Sequence, residues 1–379
     1  MATKESARLL NTRLPKTDRF IYRALRGEPA PWADLGPQMP AQEFLKQTEH
    51  HGVQALLFHC VHESDAWKDW PQDVRQVLER ASKAGVAQEM LRTHHLSRIL
   101  KEFDRAGVRC LLMKGEALAL SHYSTPGTRT RCDSDLFIHL GDIEAARQAL
   151  LDADLNIVSQ VYKSHQFTVS RTGDVSGAVQ FDVHWRISNH PLFARVISFE
   201  DAFDNSLAVP GMENARMLNA VDALLLACMH RMGNERHDRN RLIWINDIHE
   251  LTTSMDANEL MEFASKAVRL GVQAACLDGL SRSVKCLLTA VPDSVIEVLK
   301  TPELPRSRSV RIARSSLGLL IDDWRNLVDR RSRLGLLREL VWPSSSYLLQ
   351  KYHKNSKLWL PVLYLRQVLG GAFERLSLR

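Results

Sequence analysis

The chain has 379 residues, 45% of them hydrophobic and 25% charged, with a formal net charge of +6. Such a length and composition describe a soluble globular protein with room for two or three domains, and exclude a disordered or fibrous chain. The modest basic excess suits an anionic ligand such as a nucleotide and is too small for a dedicated DNA- or RNA-coating surface.

None of the six cysteines stands at C-x-x-C spacing, so neither a zinc site nor a disulfide framework is expected. Residues 1–20 are mostly polar and basic, without a signal-peptide apolar run. The most apolar window, 358–373, is broken by Pro361, Arg366 and Gln367. A cytoplasmic protein with no stable membrane insertion is expected.

Residues 1–105 read as a helical region, interrupted at 28–40 by the Pro-rich EPAPWADLGPQMP. Apolar residues recur at helical spacing through Phe44, Val53, Leu56 and Leu57, and again over 74–103. The pattern changes at Gly107. VRCLLM (108–113) is a short apolar run read as a buried strand, and a short helix is predicted over 116–123. A loop over 125–130 turns on Pro126-Gly127, and a strand runs from Asp133 to Leu140. Asp142 is placed to cap a helix over 143–154. Strands over 165–171 and 178–185 form a hairpin across 173–177. Helical periodicity then returns over 217–232, 242–255, 257–270 and 272–288. The expected fold class is α+β: a small mixed sheet at 106–210 between helical regions at 1–105 and 211–379.

The chemistry-bearing residues lie in the sheet region. Side chains alternate faces along a strand, so Asp133 and Asp135 share one face while Leu136 and Ile138 point into the core. In QFDVHW (180–185), Asp182 shares a face with Gln180 and His184, opposite Val179, Phe181, Val183 and Trp185. If the two strands are neighbours, three carboxylates converge. Clustered carboxylates repel unless cations sit among them. Divalent ions such as Mg²⁺ or Mn²⁺ take such oxygen ligands and keep positions open for phosphates. The Lys114-Gly115 turn opens a short helix upstream, where backbone N–H groups and the helix end can cradle a triphosphate.

LLMKGEALALSHYSTPGTRTRCDSDLFIHL followed by FDVHWRI resembles a bacterial, largely uncharacterised nucleotidyltransferase family of the DNA polymerase β-like superfamily. The shared pieces are Lys114-Gly115, Gly127 with Arg129, Asp133 with Asp135, and Asp182 with His184 and Trp185. The resemblance is strongest across 108–186, and the helical flanks and Trp342-Pro343-Ser344 extend it over most of the chain. It implies a nucleotidyltransferase core moving a nucleoside monophosphate from a metal-bound NTP to an acceptor. That acceptor is a small molecule, a natural product, tRNA or a protein. It further implies that Asp133, Asp135 and Asp182 hold the metals, with Asp182 also placed to activate the acceptor. Lys114, Gly115, Arg129 and Arg131 would meet the NTP. His184 reads either as support for Asp182 or as a structural histidine, and Trp185 as core.

Two residues depart from the pattern. Glu116 replaces the small residue expected after the turn glycine, and Ser134 replaces an apolar residue between the aspartates. An acidic side chain beside a triphosphate is awkward unless it points away, so Glu116 favours the alternative of a catalytically weak sensor or scaffold of the same fold.

Elsewhere, HRMGNERHDRNR (230–241) reads as a solvated turn or a closure over the nucleotide, and Asp247 as a helix-surface aspartate or a family position. His50-His51 and His94-His95 read as structural. The basic, aromatic tail around Tyr347, Lys351, Tyr352, His353, Lys354 and Lys357 reads as packing against the sheet region, an RNA-stacking surface or a membrane-surface contact.

Overall fold

The computed structural model describes residues 15–36, 39–159, 166–170, 179–190, 192–234 and 240–302, with shorter stretches after residue 332. The N-terminal helices are α1 (Lys16–Leu25), α2 (Ala41–His51), α3 (Gln54–Val61) and the 34-residue α4 (Gln72–Arg105). Pro15, Pro40 and Pro71 stand immediately before α1, α2 and α4. Proline is suited to a helix start, because no backbone N–H is needed there. The Pro-rich break holds a 3₁₀ turn, Trp32–Leu35, whose Trp32 packs edge-on against Phe20 and Phe44.

Among the described residues, seven strands form one mixed sheet in the order β3-β4-β5-β2-β1-β7-β6. They are β1 (Cys110–Met113), β2 (Asp133–Ile138), β3 (Asn156–Ser159), β4 (Gln166–Ser170), β5 (Gln180–His184), β6 (Leu207–Ala208) and β7 (Arg216–Met217). β2 lies at the centre, antiparallel to β1 and parallel to β5. β4 and β5 pair antiparallel, as a hairpin requires; the expected turn at 173–177 lies outside the described residues. β3, β6 and β7 are additions to the strands read from sequence.

Strand alternation sorts the sheet's two faces. Cys110, Leu112, Leu136, Ile138, Phe181 and Val183 join a core closed by α4 and α6 (Ile143–Asp152). Leu111, Met113 and Phe137 face the other way, into a larger core. That core contains residues of α7 (Phe199–Asp204), α8 (Ala220–Gly233), α9 (Leu242–Ser254), α10 (Ala257–Leu270), α11 (Gln273–Leu287) and α12 (Asp293–Leu299). The two helical regions do not stand apart: Phe20 and Leu57 share this core with Leu224 and Leu280, and Arg26 donates to the Cys286 carbonyl at 2.8 Å. α10 keeps the bounds read from sequence because both ends are chemically marked. Asp256 and Glu259 form a capping box, and Gly271 takes the left-handed conformation beyond its end.

Between β1 and β2 lie α5 (Lys114–Ser121) and a 3₁₀ turn, Pro126–Thr128. Gly127 lies with its backbone against Gly85 of α4, where a Cβ would approach the Val86 nitrogen to 2.8 Å. Only glycine allows this approach, which anchors the loop carrying Arg129 and Arg131. Of the basic tail, Tyr347 and residues 351–354 lie outside the described residues, while Lys357–Trp359 form a 3₁₀ turn. Among the described residues, no helix is long and apolar enough to cross a membrane.

Candidate active site

The site is built on the sheet face that looks toward the larger core. Register aligns Asp135 of β2 with Met113 of β1 on one side and Asp182 of β5 on the other, with Asp133 opposite Gln180. β1 ends at Met113 and α5 begins at once with Lys114, whose φ is 54°. This left-handed backbone costs a non-glycine residue about 1–2 kcal/mol. The sharp elbow accompanies an ammonium turned back across the strand ends, with Lys114 Nζ 2.6 Å from Asp135 Oδ1.

The same Asp135 oxygen accepts a hydrogen bond from His184 Nε2 at 2.7 Å, and the His184 side chain is wholly buried. Asp182 is fixed on both oxygens. Gln166 Nε2 donates to Oδ2 and Thr168 Oγ1 to Oδ1, each at 2.6 Å, both from β4. Asp135, Asp182 and His184 each offer one ligand atom, all within 4.8 Å of one another, an arrangement able to hold a metal ion. Asp133 shares their face one step along β2 and is partly buried, with Asp135 and Asp182 acting on it electrostatically.

Charge in this cluster is unbalanced. Burial pushes the Asp133 carboxyl up to about 6, and the charges of Asp135 and Asp182 push the same way. Burial also acts to raise Asp135, but Lys114 and His184 outweigh it and hold that carboxyl below its usual range. Burial would lower the Lys114 ammonium, yet Asp135, Asp133 and Asp182 keep it above its usual value. His184 is pulled below its usual value by burial and then by Lys114; donating through Nε2 leaves its buried Nδ1 without a hydrogen-bond partner among the described residues.

The two arginines read as nucleotide contacts hold other partners. Arg129, 6% exposed, donates from Nε and Nη2 to the two oxygens of Asp247 at 2.7 and 2.6 Å. Tyr123 donates to the same aspartate at 2.8 Å and receives a hydrogen bond from Asn246. The Arg129 guanidinium covers Gly115, where a Cβ would lie 3.1–3.3 Å from its atoms. Arg131 binds Glu116 at 3.1 Å and Glu89 of α4 at 3.0 Å.

Glu116 is completely buried and also accepts from the Ser134 hydroxyl, so the two residues that depart from the sequence expectation are bonded to each other. The acidic side chain turns away from the Asp135 face, onto the side that Ser134 shares with Leu136. The arrangement therefore brings Lys114 to the aspartates, while Arg129 and Arg131 brace the turn from behind.

Two expectations need correction. Asp247 is no surface residue: it is 5% exposed and buried in the ion pair. Nor is the start of 230–241 a solvated turn, because α8 continues through Gly233 and Arg231 is buried against Asp278 and Asn240; residues 235–239 lie outside the described residues. His230, in the last turn of α8, lies within electrostatic reach of Lys114, Asp135, Arg129 and His184, and burial followed by Lys114 lowers it to about 3. Sequence offered only a histidine at the head of a polar segment, with no spacing rule to tie it to β2.

No curated protein matches the sequence. A family profile described as an uncharacterised nucleotidyltransferase matches residues 37–287, about two thirds of the 379 residues. The match spans the aspartate strands, the Lys114-Gly115 elbow and the α9 helix carrying Asp247. The chain belongs to this uncharacterised nucleotidyltransferase family.

Proposed function

We propose that the protein transfers a nucleoside monophosphate from an NTP to an acceptor hydroxyl or phosphate, using Mg²⁺ or Mn²⁺. The observation that carries this is the grouping of Asp133, Asp135 and Asp182 on one sheet face with, among the described residues, the Lys114 ammonium set against Asp135. Such a donor set fits a divalent cation: it is oxygen-rich, partly closed and short of positive charge. Asp135 and Asp182 would hold the cation, with His184 and Asp133 completing its surroundings.

A bound divalent ion supplies charge neutralisation at the phosphates and orients the attacking and leaving oxygens. The chain's residues do the positioning. The Gly115 turn and the start of α5 present backbone N–H groups to the triphosphate, and Lys114 adds a mobile cation. The acceptor oxygen forms a bond to the α-phosphorus as the bond to the bridging oxygen of pyrophosphate breaks. The acceptor's proton passes to the carboxylate cluster. Arg129 and Arg131 act at one remove, by bracing Gly115 and Glu116.

Glu116, the feature favouring a sensor without turnover, is buried against Arg131 and Ser134, and that supports the enzyme reading. The test is incubation with Mg²⁺ or Mn²⁺ and each labelled NTP, with and without cell extract, beside an Asp133→Ala/Asp135→Ala control. Metal-dependent label transfer or pyrophosphate release, lost in the control, supports the proposal and identifies the nucleotide. Tight NTP binding without transfer under every acceptor condition would favour the sensor.

A further inference from the structure

Lys114 has two features that sit poorly together unless its ammonium has a purpose. Its backbone is left-handed, at φ 54°, a conformation that glycine adopts without strain. Its side chain is 13% exposed, and its Nζ touches one carboxylate oxygen at 2.6 Å. That oxygen belongs to Asp135, which also belongs to the group of three able to hold a metal. The lysine thus rests against a ligand that a divalent ion needs.

Both cations cannot keep that place comfortably. An ion bound to that same Asp135 oxygen, at about 2.1 Å, would lie within roughly 5 Å of an ammonium 2.6 Å from it. At that range, in a largely buried site, a charge of +2 and a charge of +1 repel strongly. The lysine has a route out: its Cα stands at the start of α5 beside Gly115, and its flexible four-carbon stem can carry the ammonium toward the turn.

We propose that Lys114 is an exchangeable internal counter-cation. It neutralises Asp135 when no metal is present, and with a metal ion held by Asp135 and Asp182 its ammonium would turn instead to the triphosphate. The inference rests on the reading of this site as a metal-dependent nucleotidyltransferase centre. It makes metal and nucleotide binding mutually reinforcing: metal alone must evict the lysine, whereas the triphosphate gives the evicted ammonium a new partner.

The test measures Mn²⁺ binding by electron paramagnetic resonance to the intact protein without nucleotide, comparing wild type with Lys114→Met, Lys114→Gly and Lys114→Arg. Lys114→Gly removes the ammonium while relieving the backbone strain, so it keeps the experiment interpretable if Lys114→Met folds poorly. Expected is Mn²⁺ affinity at least about tenfold tighter in the Met and Gly variants, with the charge-retaining Arg variant close to wild type. Unchanged or weaker Mn²⁺ binding in folded Met and Gly variants overturns the exchange and leaves the transferase reading standing. Absence of Mn²⁺ binding in every folded protein, with NTP present as well as without it, overturns both.

Discussion

Arg129 and Asp247 stand 118 residues apart in the chain and meet in a two-pronged ion pair, with both side chains at most 7% exposed. Arg129 belongs to the loop between β1 and β2, and Asp247 to α9. The pair therefore ties the C-terminal helices to the loop whose guanidinium covers Gly115. Removing one partner leaves the other charge buried without compensation, which costs about 3–5 kcal/mol. Asp247→Ala and Arg129→Ala are each expected to lower unfolding free energy by that amount in urea titrations. A paired Arg129→Met/Asp247→Leu variant should recover much of it, because it strands no charge. Single-variant losses below about 1 kcal/mol would mean that water reaches the pair.

The Ser134 hydroxyl donates to Glu116, which also accepts from Arg131. Hydrogen bonds to charged groups contribute about 1.5–3 kcal/mol, so Ser134→Ala should destabilise the protein by roughly that much even though it makes β2 more apolar. Glu116→Ala should cost more, since it also takes a carboxylate from buried Arg131. Thermal melts of the two variants give the order, and a Ser134→Ala protein as stable as wild type contradicts the bond's importance.

The Ser134–Glu116 contact also shows where sequence stops being informative. Each residue alone is a departure from a pattern, and nothing in a linear reading joins positions 18 apart across a helix and a loop. The period-two alternation of β2 and β5 was legible, because each strand declares its apolar face in five or six residues. So were α8 to α11, whose apolar periodicity is a local signal. β6 and β7 were not: two residues each carry no period, and they are strands only because β1 offers an edge. The partners of Arg129 were equally hidden, since a loop arginine facing phosphate and one facing a distant aspartate have the same local sequence.

Asp133 gives the site a pH signature. Its carboxyl is pushed from 3.8 up to about 6 by burial, Asp135 and Asp182, so the folded protein holds this proton more tightly than the unfolded chain does. The stability it lends is complete below about pH 4 and is lost as pH rises through about 6. Asp133→Asn should therefore be more stable than wild type at pH 7.5, by at most about 2 kcal/mol given partial exposure, and indistinguishable at pH 4. Denaturant titrations at the two pH values check this, and saturating Mg²⁺ at pH 7.5 should narrow the gap by supplying the missing counter-charge. A gap that is larger at pH 4 than at pH 7.5 has the wrong sign for this cause.

At Asp182 the proposed metal-binding role separates most sharply from holding the fold. Its two oxygens are aimed by Thr168 and Gln166, side chains of β4 on the face opposite Phe167 and Val169. Thr168→Val keeps the side chain's shape and its place in the sheet while deleting one of those two donors. Groups that orient a metal-binding carboxylate commonly contribute 10–100-fold to metal affinity. Mn²⁺ binding is therefore expected to weaken by about tenfold or more in Thr168→Val, with label transfer recovering at high metal concentration. Removal of metal by a chelator should abolish transfer and lower the melting temperature by a few degrees, yet leave far-ultraviolet circular dichroism nearly unchanged, because both sheet faces are closed by apolar cores that do not involve the ion. If Thr168→Val lost transfer irrecoverably at saturating Mn²⁺, the hydroxyl would be acting on the chemistry, and Asp182 would need a role beyond that of a ligand.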